Sequence, residues 1–356
     1  MTPTSTDSET GPVAPGPSRR AALRAGLGGA LAAGLAALAA APAAASAGRP
    51  PARPEILVAT NEPWGTYHVR PLLAEAERRG WRLRQLVPDL SEIEPGDPVP
   101  VRTLDDDLSG ADLLVVTGAE EWPAECAAAL RRLPLAASSL AYLRPEPAPL
   151  ARRLRPRLRL VTSSSPAEGR AFRSYLGTAR PVLAVGSPQT DGLPPWRPEP
   201  GTVLVLTSVT RPDPTGGAAP GTELLLAAAA RLAAEGRRIV VGMHPREDPS
   251  LWDDYEISPV PSVRAAAAAE VAIGIPGTVF PLVAAVGAPV VGCTDPALEV
   301  PGYLLDVCSA TIADAGEAVA AVAGARPVDP EVLHDAVGPV GGSAARLLDA
   351  WRGVAR

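Results

Sequence analysis

Short apolar runs alternate along the chain with stretches in which leucine and alanine recur at helical spacing. Glu55–Thr60, Arg82–Val87, Asp112–Thr117, Leu135–Leu143, Leu158–Thr162 and Val182–Val185 read as strands. Between them Arg70–Arg79, Ala124–Arg132 and Ala167–Leu176 read as helices. A second series follows, with strands over Val203–Ser208, Arg238–Met243, Val271–Ile275 and Pro289–Gly292. Its helices are expected over Glu223–Ala234, near Ser262–Ala269 and over Val279–Val286. Alternation of this kind predicts a parallel sheet covered on both faces. The proline-dense stretch Pro188–Pro200 breaks the pattern as a linker does. The predicted fold class is therefore α/β, with two Rossmann-like domains whose parallel sheets face each other across a cleft. The expected division is a leading segment 1–47, domains 48–192 and 193–326, and a tail 327–356 with a helix over Ser343–Trp351.

The leading segment changes the picture. Ser18-Arg19-Arg20-Ala21-Ala22-Leu23-Arg24 precedes about two dozen uncharged residues, and Ala45-Ser46-Ala47 closes them with small residues at cleavage-site spacing. The paired arginines resemble a twin-arginine (Tat) export signal, which implies the Tat translocase as a partner, a secreted product and a mature start near Gly48. The other reading is an uncleaved membrane anchor over residues 25–47, since that run is long enough to span a bilayer.

The net charge is −6 and all 33 basic residues are arginine. No basic stripe suggests nucleic acid, and no positive patch suggests an anionic membrane surface. Aromatic residues make up 4% of the chain, so alanine, valine and leucine must fill the core. Cys126, Cys293 and Cys308 have no metal-ligand spacing. Cys293 and Cys308 are candidates for one late disulfide or for two buried small hydrophobes. The acidic run Asp105–Asp107 lies in a polar stretch and reads as a solvated loop.

Candidate chemistry gathers where strands end, because open parallel sheets bind ligands at the carboxyl ends of their strands. His244 and Arg246 follow one such end, Thr207 and Ser208 close another, and Gly277-Thr278 lead into the helix that opens at Val279. The unpaired first-turn N–H groups of that helix, with its positive end, favour a phosphate. His244 is expected to line the interdomain cleft near Gly277-Thr278 and to contact an anionic group, a phosphate. The plainer readings are a turn histidine and an N-cap.

Three stretches in this order resemble the GT-B glycosyltransferase superfamily, nearest to its UDP-N-acetylglucosamine 2-epimerase-like and CDP-glycerol glycerophosphotransferase-like branches. They are VLAVGSPQTDGL (182–193), VVGMHPRED (240–248) and VAIGIPGTVFPLVAAVGAPVVG (271–292). The resemblance implies a phosphorylated or nucleotide-activated donor, a nucleotide sugar or CDP-glycerol-like molecule, bound between the domains as substrate. It implies no metal and no other cofactor. His244, Arg246, Gly277, Thr278, Thr207 and Ser208 would take the phosphates. In an inverting enzyme a base must lie near the acceptor hydroxyl, and Glu62 and His68 between the first strand and helix are the candidates. One departure stands out: the helix VFPLVAAVGA carries no acid for a donor ribose, so Asp295 or Glu299 would have to reach in. His334 belongs to the tail and reads as surface.

Address and resemblance pull apart, since nucleotide-activated donors are cytoplasmic. A transferase acting before export or anchored inward, an exported relative that keeps only a sugar- or glycan-binding cleft, and an exported two-lobed solute-binding protein all fit the sequence.

Overall fold

The structure, a computed structural model, describes residues 53–140, 146–210, 219–244 and 246–355. The signal and anchor readings of residues 1–47, the end of the predicted strand Leu135–Leu143, and Pro245 lie outside those residues.

The first half contains β1 (Glu55–Ala59), α1 (Leu73–Arg78), β2 (Arg82–Leu86), β3 (Val101–Arg102), β4 (Leu113–Val116), α2 (Glu121–Ala129), β5 (Leu135–Ser138), α3 (Ala151–Leu154), β6 (Leu158–Ser163), α4 (Pro166–Leu176) and β7 (Leu183–Ala184). The second half contains β8 (Thr202–Leu206), α5 (Thr222–Ala234), β9 (Arg238–Gly242), β10 (Glu256–Ile257), α6 (Ser262–Ala265), β11 (Val271–Gly274), α7 (Val279–Val286), β12 (Val290–Cys293), α8 (Gly302–Leu305), β13 (Ala310–Ile312) and α9 (Ala318–Gly324). Two helices close the chain, α10 (Pro330–Val337) and α11 (Ser343–Arg352).

Each half builds one sheet. The first has the order β3-β2-β1-β4-β5-β6-β7, the second β10-β9-β8-β11-β12-β13, and every pairing is parallel. The α/β class with two parallel sheets is therefore observed as expected. In each sheet the winding reverses beside the first strand, between β1 and β4 and between β8 and β11. Those switch points open crevices at the carboxyl ends.

Both faces of both sheets are covered, which is why the central strands read as continuous apolar runs and not as alternating ones. Along β1, Leu57 packs on one face with Leu114 and Phe172, while Ile56 and Val58 pack on the other with Trp351 of α11. Along β8, Val203 and Val205 join Leu225 and Trp252, and Leu204 and Leu206 join Phe280 and Val337. The cysteines divide the same way. Cys293 lies in one of these second-sheet cores and Cys308 packs against the other, so the pair sits on opposite faces and all three cysteines are free thiols. Burial pushes the Cys293 and Cys308 thiols up to about 12.

The last two helices tie the halves together. Ala336 and Val337 of α10 complete the second lobe's core, while Asp335 pairs with Arg170 of α4 at 2.5 Å. The indole of Trp351 donates to Ser138 Oγ at 2.9 Å in the first lobe. The stretch Gly186–Asp191 is built around this return. Asp191 accepts the N–H groups of Ser343 (2.7 Å) and Ala344 (2.9 Å), where its charge favours the N-terminus of α11. Gly186 has φ +87°, and a Cβ there would stand 2.2 Å from Ser343 Oγ and 2.3 Å from the Pro339 carbonyl. Gly338, at φ +82°, presses equally hard on the Ser164 carbonyl. The proline-rich linker is also tied on its far side. Arg197 and Glu199 donate their N–H groups to Ala267 O (2.7 Å) and Ala268 O (2.8 Å), and the Trp196 indole donates to Ala269 O. It is a strap pinned at both ends.

The pattern missed the short elements β3, β10, β13, α3, α8, α9 and α10, and the helix expected near Ser262–Ala269 covers only Ser262–Ala265. The first five of these have two to four residues, too few to show a periodicity, and α9 and α10, with seven and eight, complete only about two turns.

Candidate functional site

The loop after β1 carries Glu62 and His68. It is tied down locally: Asn61 N–H donates to Thr117 Oγ1 (3.0 Å), Gly65 N–H to Glu62 O (2.9 Å) and Thr66 Oγ1 to Asp97 Oδ2 (2.6 Å). A Cβ on Gly65 would lie 3.1 Å from the Glu62 side chain, so a small residue is needed for that side chain to fold back. Glu62 Oε2 accepts from the Tyr67 hydroxyl and lies 3.3 Å from His68 Nε2. The His68 side chain is 6% exposed, and its Nδ1 has no hydrogen-bond partner among the described residues. Burial acts to raise the Glu62 pKa. The hydrogen bond and charge of His68, the Tyr67 hydroxyl and the charge of Arg246 outweigh it and hold the carboxyl below the usual range. Arg246 belongs to the second lobe, so the two lobes already act on each other here.

In the second lobe β9, β8 and β11 end side by side, which sets His244, Thr207-Ser208 and Gly277-Thr278 in a row along one edge. His244 N–H donates to Thr207 Oγ1 at 2.8 Å. The Arg246 N–H donates to His244 Nδ1 at 3.1 Å, so the neutral ring carries its proton on Nε2. Beneath the row lies Glu247, 2% exposed, which accepts from the Trp252 indole at 3.1 Å. Burial raises its pKa, opposed by hydrogen bonds from Trp252, the Ser208 N–H and the Thr207 hydroxyl. Thr207 and Ser208 thus brace the turn through their links to Glu247 and His244. Thr210 adds a further tie, donating its hydroxyl to Arg246 O (3.3 Å) and accepting the Asp248 N–H (2.8 Å).

His244 and Gly277-Thr278 share that edge without adjoining each other. With β8 between β9 and β11, the two are two strand spacings apart, roughly 10 Å. Thr278 lines, with His68 and Tyr67 of the first lobe, a recess that opens to solvent. Ser164, Glu168 and Tyr303 also line it. Thr278 opens α7 with an exposed side chain that makes no capping hydrogen bond, and a Cβ on Gly277 would meet nothing nearer than 3.9 Å. Backbone amides at that turn are therefore approachable.

Glu168 and Glu247 were missed from the sequence. Glu168 is buried, accepting from Ser139 Oγ (2.6 Å) and Ser164 N–H (2.7 Å) while its own N–H is capped by Ser165 Oγ (3.1 Å). The Ser165-x-x-Glu168 spacing of a capping box was visible in the sequence. No hydrophobic periodicity marks Glu247 as buried, although its indole partner Trp252 lies only five residues on. Asp295, a candidate for the donor ribose, follows β12 and caps its own turn through the Ala297 N–H at 2.8 Å. His334 is exposed, and Asp106 and Asp107 hold turns at Thr103 and Ser109.

No family model matches the sequence, and no curated protein matches it. The fold has clear likenesses among solved structures. A variant of the wall teichoic acid polymerase TagF superimposes with a TM-score of 0.54 at 12% identity, covering 84% of this chain and 88% of that one. UDP-GlcNAc 2-epimerase from Methanocaldococcus jannaschii gives 0.53 at 13% identity, covering 85% and 99%. S. aureus MnaA with UDP gives 0.55 at 14% identity, covering 84% and 96%. The chain is a two-lobed α/β protein with the GT-B-like fold.

Proposed function

We propose that the protein binds a nucleotide-activated or phosphorylated sugar between its lobes and transfers the sugar or glycerophosphate group without a metal. The observation that carries this reading is His68, buried, held at Nε2 by Glu62 and without a partner at Nδ1 among the described residues, on a recess whose other wall is Thr278. In this reading Nδ1 takes the proton of an acceptor hydroxyl, and Glu62 steadies the imidazolium that results. Departing phosphate is met by the amides at Gly277-Thr278 and by His244 and Arg246 along the same edge, as charge develops on it. The row spans about 10 Å, room for a diphosphate and not for one phosphate gripped by all four residues. Likeness to proteins described as a polymerase, an epimerase and a UDP complex supports a nucleotide ligand.

Calorimetric titration with UDP, CDP, UDP-GlcNAc and CDP-glycerol, against free monosaccharides and oligosaccharides, tests it. At least one nucleotide is expected to bind with micromolar to millimolar affinity and raise the melting temperature. Binding of free sugars with none of the nucleotides would favour an exported solute- or glycan-binding protein.

A further inference from the structure

The first lobe carries a concentration of positive charge at the end opposite the cleft. Between residues 131 and 180 the sequence has eleven arginines and two glutamates, in a chain whose net charge is −6. Folding gathers most of these arginines at one place. Arg131, Arg132, Arg157, Arg159 and Arg180 line a single surface recess, and Arg152 and Arg153 are exposed on the neighbouring α3.

Some of the cluster serves the fold. Arg157 donates to the carbonyls of Leu130 (3.0 Å) and Leu133 (3.2 Å) past the end of α2, and also to that of Ala127. Its pKa is lowered, first by burial and then by the charge of Arg131. Arg132, Arg159 and Arg180 are different. They are exposed and make no side-chain hydrogen bond or ion pair among the described residues. Packing does not explain them.

Position narrows the partner. These residues stand before or at the beginnings of β5, β6 and β7, and the sheet is parallel throughout. β1 therefore begins on the same edge, two strands from β5. The chain enters that strand through Arg53 and Pro54, from a sequence that carries the long uncharged Ala-Gly-Leu run. Leu183, 52% exposed on the edge strand β7, sits in a recess with Arg159 and Arg180. Guanidinium groups beside an exposed leucine suit a lipid headgroup region, where cations meet phosphates and the apolar side chain enters the interface. We propose that this arginine edge docks on an anionic phospholipid surface. The sequence alone had suggested no such patch, because the arginines are spread over fifty residues and offset by acids elsewhere. Docked this way, the lobe keeps its carboxyl edge and cleft turned away from the bilayer.

Flotation of the full chain with vesicles tests the proposal, using phosphatidylcholine alone and with about one third phosphatidylglycerol. Binding is expected to be much stronger to the anionic vesicles and to fall steeply between 0.05 and about 0.5 M salt. Replacing Arg132, Arg159 and Arg180 by Gln should lower that binding by about a hundredfold, roughly fivefold per arginine. A control with Arg197, Arg231 and Arg264 changed to Gln alters net charge equally and should bind like the parent. Three results would overturn the proposal: equal binding to both vesicle types, equal losses in the two triple variants, or preferential binding of duplex DNA at the same salt. Circular dichroism of both variants confirms that they are folded before comparison.

Discussion

Each lobe places a histidine in the connection that follows the carboxyl end of a strand, and the two are held in opposite ways. His68 is buried, bound to a carboxylate through Nε2, and has an Nδ1 without a partner among the described residues. His244 is half-buried and accepts a backbone N–H at Nδ1, which leaves Nε2 protonated. A carboxylate at Nε2 fixes the tautomer in which Nδ1 is the acceptor, whereas an amide donating to Nδ1 fixes Nε2 as the donor. The first arrangement suits proton transfer and the second suits hydrogen bonding to an anion. Their neighbouring glutamates differ too: Glu62 is held below the usual carboxylate range and Glu247 is raised above it.

The sharpest way to break this comparison is His68→Asn, which keeps the size but removes the base. Turnover of whichever donor is found should fall by about 10²- to 10⁴-fold while donor affinity stays close to that of the parent. An equal loss of affinity would make His68 a binding residue like its counterpart. A middle-sized effect is expected from His244→Ala: donor binding weaker by about 1–3 kcal/mol in titration calorimetry. Because the ring also holds the Arg246 N–H, a small drop in unliganded stability, about 1 kcal/mol, should accompany it.

The smallest effect separates the two glutamates by pH. Glu62 has a depressed folded pKa, so its contribution to stability is complete above its unfolded value of about 4.5 and is lost as pH falls through the folded value. Glu247 has a raised one. The folded state retains its proton longer than the unfolded chain does, so stability declines as pH rises from about 4.5 through the folded value. Melting curves between pH 3 and 8 should therefore show Glu62→Gln losing its penalty on the acid side. Glu247→Gln should compare more favourably with the parent as the pH rises. Parallel curves for both variants would remove the electrostatic distinction between the two turns.

Much of the architecture was legible without coordinates. Buried strands of a doubly covered parallel sheet are continuous apolar runs, so β1, β4, β8 and β11 stand out, and α7 falls on the predicted residues Val279–Val286. Strand ends announce themselves where such runs stop, which is how His68, His244, Thr207 and Gly277-Thr278 came to be singled out. What each of them faces was not legible. Strand order, with β8 inserted between β9 and β11, set His244 two strands from Thr278, and the approach of the lobes brought Thr278 to His68. The seating of Asp191 on the N-terminus of α11 and the gathering of Arg132, Arg159 and Arg180 on one edge have the same origin. Hydrophobic periodicity is a local property that survives in a one-dimensional pattern. Some polar partners are local, as Glu62 with His68 and Glu247 with Trp252, but those of Thr207, Asp191 and Trp351 lie tens to hundreds of positions away, and only the packed sheets and the returning tail bring them within a hydrogen bond's reach.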